Sequence, residues 1–257
     1  MQARQQFIAF KTILIKEIYR FSRIWVQTIL PPAITTTLYF VIFGNLIGSQ
    51  IGDMDGFSYM EYIVPGLILM AIITNSYANV VSAFYSAKFQ RNIEEMLISP
   101  TPNYIILFGY VAGGVARGII VGSVVTIVSL FFTDLSIQNL FLTTIIVVLT
   151  ATLFATAGFI NAVYAKSFDD ISIVPTFVLT PLTYLGGIFY TIKMLPEFWQ
   201  SVSLVNPILY MVNAFRYGII GVSDINIWTA LIIILGFITG LLLWALRLLN
   251  KGVGIRT

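Results

Sequence analysis

Residues 86–103 read SAKFQRNIEEMLISPTPN. They form a polar island with Lys88, Arg91, Glu94 and Glu95, followed by Pro100 and Pro102. The part before Pro100 suits a helix. The prolines then end it, because proline lacks an amide donor and disfavours helix at the residue before it. Glu94 and Glu95 follow Arg91 by three and four positions, so a helix is expected to bring them within ion-pair reach. The apolar runs on either side, 63–85 and 105–132, are long enough to cross a bilayer, which takes about 20 residues. The side of the membrane on which the island lies therefore fixes the course of every later run.

Composition agrees with that reading. Of the 257 residues 58% are hydrophobic and only 10% charged, with a mean hydropathy of +0.92. A soluble domain carries roughly 25% charged residues. An all-α integral membrane protein is expected, one transmembrane domain over residues 1–257. The net charge of +3 sits mainly in loops, which makes nucleic acid a poor partner. Cysteine and histidine are both absent. That removes disulfides, thiolate metal sites, cysteine nucleophiles and histidine bases. The N-terminus is not a secretory signal: Lys11, Lys16, Glu17, Arg20 and Arg23 interrupt any apolar core.

Residues 1–25 read instead as an interfacial helix. Ile13, Leu14, Ile18, Phe21 and Trp25 can share a side, with Lys16, Arg20 and Arg23 elsewhere. Six spans follow, at 26–47, 63–85, 105–132, 140–163, 171–190 and 227–246. In the second, Asn75 and Asn79 are one turn apart and share a face. They either line a translocation path or bond to a neighbouring helix. In the third, Gly109 and Gly113, and Gly114, Gly118 and Gly122, recur at the spacing that lets helices approach closely in lipid. Arg117 lies in the same span, either as a functional intramembrane cation or with its stem reaching the interface. Residues 195–221 are apolar, but Pro196, Asn206, Pro207, Asn213 and Arg216 spoil a single crossing. A break at Asn206 and Pro207 predicts two short helices, a re-entrant hairpin before the last span.

Cations give the orientation. With six spans both termini share a side, and that side holds the N-terminal cluster, Lys88, Arg91, Lys166, Arg247, Lys251 and Arg256, against Lys193 and Arg216 on the other. The positive-inside rule puts both termini and the island in the cytoplasm and the hairpin at the outer face. Several activities are excluded or disfavoured. There is no Gly-Lys pair and hence no P-loop for ATP. No Asp or Glu falls inside an expected span, which speaks against an acidic proton relay, and no selectivity-filter motif occurs.

The arrangement resembles the permease subunits of type-2 ATP-binding-cassette (ABC) exporters of the bacterial inner membrane, over nearly the whole chain. The most specific part is 186–221, GGIFYTIKMLPEFWQSVSLVNPILYMVNAFRYGIIG, with its Gly-rich helix end, Asn-Pro and Arg-Tyr. RNIEEMLISPTPNY adds to it. The resemblance implies a homodimer around a translocation path, surrounded by membrane lipid. It implies a separate ABC ATPase subunit, which holds the ATP and Mg, with no cofactor in this chain. It also implies a coupling role at that ATPase for Lys88, Phe89, Arg91, Asn92, Glu94 and Glu95, and outer capping helices around Asn206, Pro207 and Arg216. A regulatory ABC membrane partner would share this topology. A membrane-embedded transferase would need a polar catalytic cluster at one interface, and the island's Lys/Arg/Glu mixture suits a partner surface better.

Overall fold

The computed structural model describes residues 2–254, apart from the side chains at 45, 46 and 49. Arg256, counted above among the C-terminal cations, lies outside the described residues. Helix α1 (Ala3–Arg23) breaks at Ile24, whose φ of −113° and ψ of 36° leave the helical region, and α2 (Trp25–Tyr39) follows. A π-helical stretch, Phe40–Ile47, prolongs α2 into the short α3 (Gly48–Ile51). Trp25 thus opens α2 and does not close the interfacial helix, which ends at Arg23, two residues before the expected boundary at 25.

The central element is α4 (Tyr59–Phe89), 31 residues long. A capping box starts it: the Ser58 hydroxyl accepts from the Glu61 amide, and the Glu61 carboxylate accepts from the Ser58 amide. Short α5 (Asn92–Ile98) then leads through Pro100 and Pro102 into α6 (Asn103–Ser129). Next come α7 (Leu140–Tyr164), α8 (Asp170–Val174), α9 (Thr180–Tyr184), α10 (Glu197–Ser203), α11 (Pro207–Ile220) and α12 (Ile227–Lys251). Asn139, Asn206 and Asn226 cap α7, α11 and α12, each through a side-chain oxygen that accepts from an amide of the first turn.

Among the described residues five helical stretches are long and apolar enough to cross a membrane: Trp25–Gly44, Tyr59–Phe89, Asn103–Ser129, Leu140–Tyr164 and Ile227–Lys251. The fifth expected span, 171–190, is helical over less than its apolar run. Its helix covers only 170–184, with a π-helical stretch at Pro175–Leu179 between α8 and α9. Pro181 has no amide to donate to the Phe177 carbonyl, and the Thr180 hydroxyl donates to the Pro175 carbonyl at 2.9 Å. The chain then turns, with Gly187 at φ +72°. At 1.5 Å per residue this bent helix covers roughly 22 Å, short of a core of about 30 Å.

In lipid, close van der Waals fit holds helices together. Helix α4 packs against α6, α7 and α11. Both glycine registers of α6 serve this packing, on different neighbours. An added Cβ at Gly109 or Gly113 would fall 2.6 Å from Ile13 or Glu17 of α1. At Gly114, Gly118 and Gly122 it would fall on Val80, Ser76 and Ile72 of α4. One helix thus seats α1 on one side and α4 on the other. Ile13, Glu17 and Phe21, at i, i+4 and i+8, form the buried stripe of α1, while Leu14 and Ile18 are only half-buried.

Candidate functional site

At one end of the bundle the 86–103 loop, the 165–169 loop and the end of α12 meet. Phe89 packs on Phe168 with ring centroids 5.2 Å apart, and Asn103 donates to the Asn250 side chain at 2.8 Å. Helix α5 hangs from α4 through Arg91, whose φ of 60° is left-handed. For a non-glycine residue that conformation is uncommon. It turns α5 away from the axis of α4, and Ile93 alone of α5 is buried. Phe89, Arg91, Asn92, Glu94 and Glu95 are all exposed, and so is Ile98.

The expected pairing of Arg91 with Glu94 and Glu95 is not found. Among the described residues the ion pairs are Arg20–Glu17 and Lys193–Asp224. Arg91 stands before α5 in a left-handed conformation, so helical i, i+3 and i, i+4 spacing does not apply to it. Lys88, by contrast, turns inward. Its ammonium donates to the carbonyls of Val163 and Ala165, both at 2.7 Å, and so satisfies the C-terminal end of α7. Close by, the Lys166 and Ser167 amides donate to the Asp170 carboxylate at 2.8 and 3.0 Å, and the Asp170 amide donates to the Ser167 hydroxyl at 3.1 Å.

A polar ladder runs through the body between α1, α4 and α6. Arg20 of α1 binds Glu17 at 3.0 Å and reaches Asn79 of α4, donating to both its backbone and side-chain oxygens at 2.8 Å. One turn further along α4, Asn75 accepts from Arg117 of α6 at 3.1 Å. Asn75 and Asn79 therefore share a face, and each holds one arginine. Arg117 is close to the midpoint of α6, with either end of the helix roughly 20 Å away along the axis. Its guanidinium donates to Asn75 while the side chain stays half-buried. Glu17, a buried carboxylate, was not singled out from sequence. The 13/17/21 spacing was the signal for it.

Beside the ladder lies a cleft of about 360 Å³ between α2 and α4, with Arg117 in its wall. Helix α2 contributes Gln27, Pro31, Pro32, Thr35 and Tyr39, and α4 contributes Leu67, Met70, Ala71, Thr74 and Asn75. Pro31 and Pro32 cannot donate to the carbonyls of Gln27 and Thr28, which adds acceptors along α2. Asn79 does not line the cleft; it is fully buried and committed to Arg20.

At the opposite end, Arg216 of α11 is 1% exposed. Its guanidinium lies 3.9 Å from the Tyr62 ring centroid and donates to the carbonyls of Gly187 at 2.6 Å and Tyr62 at 3.3 Å. This clamp joins α11, the start of α4 and the turn after α9. The Asn206 side chain donates to the Leu182 carbonyl at 2.6 Å and caps α11 at Pro207. The break between α10 and α11 falls where the Asn206-Pro207 pair is read from sequence. Most of α11 is buried against α4, α7 and α12.

The model of the ABC-2 type transporter family matches residues 8–220. The inner membrane transport permease YadH of Escherichia coli (strain K12) is 57% identical over 250 residues, covering 97% of this chain and 98% of the relative. Nodulation protein J of Rhizobium leguminosarum bv. viciae is 24% identical over 191 residues, 74% of each chain. With its apolar crossing helices, long central α4 and exposed α5 loop, the chain belongs to the ABC-2 type transporter family, as its multi-pass membrane permease.

Proposed function

We propose that the chain is the membrane half of an ABC exporter in the bacterial inner membrane, both termini cytoplasmic. ATP and Mg are bound by a separate ABC ATPase subunit, two permease copies form a homodimer, and the 86–103 loop is where the motor docks. The bent 170–184 helix completes a sixth crossing in a locally thinned bilayer, and the 195–221 hairpin enters from the outer face without crossing. The name of the 57% identical relative supports the inner membrane and transport. The observation that carries the docking role is the exposure of Phe89, Arg91, Asn92, Glu94 and Glu95 at the end of the deeply buried α4. Lys88 serves by anchoring this loop to α7, so that a push on α5 reaches the body.

The test is the double reversal Glu94→Lys/Glu95→Lys, with Asp53→Lys/Asp55→Lys at the other end as control. Like charges set opposite each other at an interface cost several kcal/mol. The first variant should express normally yet lose co-purification of the ATPase or its coupled hydrolysis, and the control should behave as the parent. If both variants bind and stimulate the ATPase like the parent, the loop is not the docking site.

A further inference from the structure

Among the described residues three arginines, at 20, 117 and 216, reach into the helical body, and they are satisfied to different degrees. Arg216 has the Tyr62 ring and two carbonyls. Arg20 has Glu17, both oxygens of Asn79 and the Ser82 hydroxyl. Arg117 has one hydrogen bond, to Asn75, and its Nε is buried with no partner. Among the described residues no carboxylate lies within ion-pair distance of it. Glu17 balances one cation of the ladder, so the Arg20–Arg117 pair carries one uncompensated positive charge at mid-helix. Such a charge in the membrane core is expensive unless a counter-charge or water reaches it.

We propose that the α2–α4 cleft binds an anionic amphiphile, with its phosphate or carboxylate head on Arg117 and its chain along the apolar walls. The guanidinium supplies donors in a fork that matches such a head. Leu67, Met70, Ala71 and the rings of Pro31 and Pro32 supply the apolar contact. The volume of about 360 Å³ falls within the roughly 300–1,000 Å³ of small-molecule sites. Thr35, Thr74 and the freed carbonyls of α2 give a hydroxylated head further partners. This deepens the transport reading by naming a class of cargo and rests on that reading only for the step across the membrane.

The test uses the purified full-length permease in dodecyl maltoside, without ATPase. Native mass spectrometry follows titrations with dodecyl phosphate, dodecylphosphocholine and inorganic phosphate, and a melting curve for each variant reports folding. Arg117→Gln should weaken dodecyl phosphate binding by about tenfold or more, the loss expected for a hydrogen-bonded charge. Arg117→Lys should stay within about fivefold of the parent, since the charge remains. Ala71→Phe narrows the cleft while keeping the Arg117 charge and should abolish binding, so it carries the test if Arg117→Gln fails to fold. Unchanged binding in Arg117→Gln or Ala71→Phe, or equal binding of the phosphocholine, overturns the proposal. Equal competition by inorganic phosphate overturns it in favour of a free anion. Loss of binding would leave the ATPase docking result standing, and failure of docking would leave the binding result standing.

Discussion

Replacing Arg20 by alanine should destabilise the protein more than replacing Glu17, although the two side chains form one ion pair. The reason is the asymmetry of what each change leaves behind. The Glu17 side chain is 2% exposed and that of Arg20 is 31% exposed. Without Glu17, the guanidinium keeps both bonds to Asn79 and a third of its surface in the open. That loss is about 1–2 kcal/mol. Without Arg20, a buried carboxylate has no cation and the Asn79 oxygen has no donor. Breaking a buried pair in this direction costs about 3–5 kcal/mol. At about 2–4 °C per kcal/mol for a chain of this size, Arg20→Ala should lower the melting temperature by roughly 6–20 °C and Glu17→Ala by roughly 2–8 °C. Thermal unfolding in detergent, read by the fluorescence of the four tryptophans, measures both. The double variant should fall short of the sum by about 1 kcal/mol or more, since the sites share partners. An equal or larger loss in Glu17→Ala, or strict additivity, would refute the reasoning.

Gly114→Leu and Gly118→Leu should each destabilise by about 1–3 kcal/mol, as overpacking does, because their faces touch α4. Gly236→Leu in α12 meets nothing within 4 Å and should leave the melting temperature of the isolated permease unchanged; equal shifts at all three would mean that α6 does not hold α4 through its glycines. The natural chain has no cysteine, so single cysteines report topology cleanly. One placed at the exposed Ser58 should react with an impermeant maleimide from outside the cell and one at the exposed Gln90 should not; the reverse pattern overturns the orientation.

Where local pattern determines structure, the sequence was readable. Long apolar runs mark five crossing stretches, Asn206-Pro207 marks the break before α11, and the two glycine registers foretell two close neighbours for α6. The run 171–190 does not reveal where its helix stops, because apolarity continues past Tyr184, where the chain turns toward the left-handed Gly187. Lys88 reads as a loop cation because its partners, Val163 and Ala165, lie far along the chain, and no local spacing announces such a contact. Arg91 reads as the start of a helix face because charge spacing carries no information about its left-handed backbone. The cleft shows the same division. Asn75 and Asn79 visibly share a face, but their assignment to Arg117 and Arg20 depends on how three helices cross.

The pairing of Asn75 with Arg117 also bears on how the chain is made. A lone arginine at the centre of a membrane helix opposes insertion by about 2.5–3.5 kcal/mol. Helix α6 is apolar enough to enter lipid in spite of it, yet once there it needs an acceptor. Asn75 belongs to α4, which precedes α6 in the chain, and synthesis runs from the N-terminus. When α6 leaves the insertion machinery, the side chain that receives its charge is already embedded, and the glycine face that lets α6 reach it emerges on the same helix as the charge. The order of the helices along the chain is thus the order in which their polar contacts can be satisfied during biogenesis.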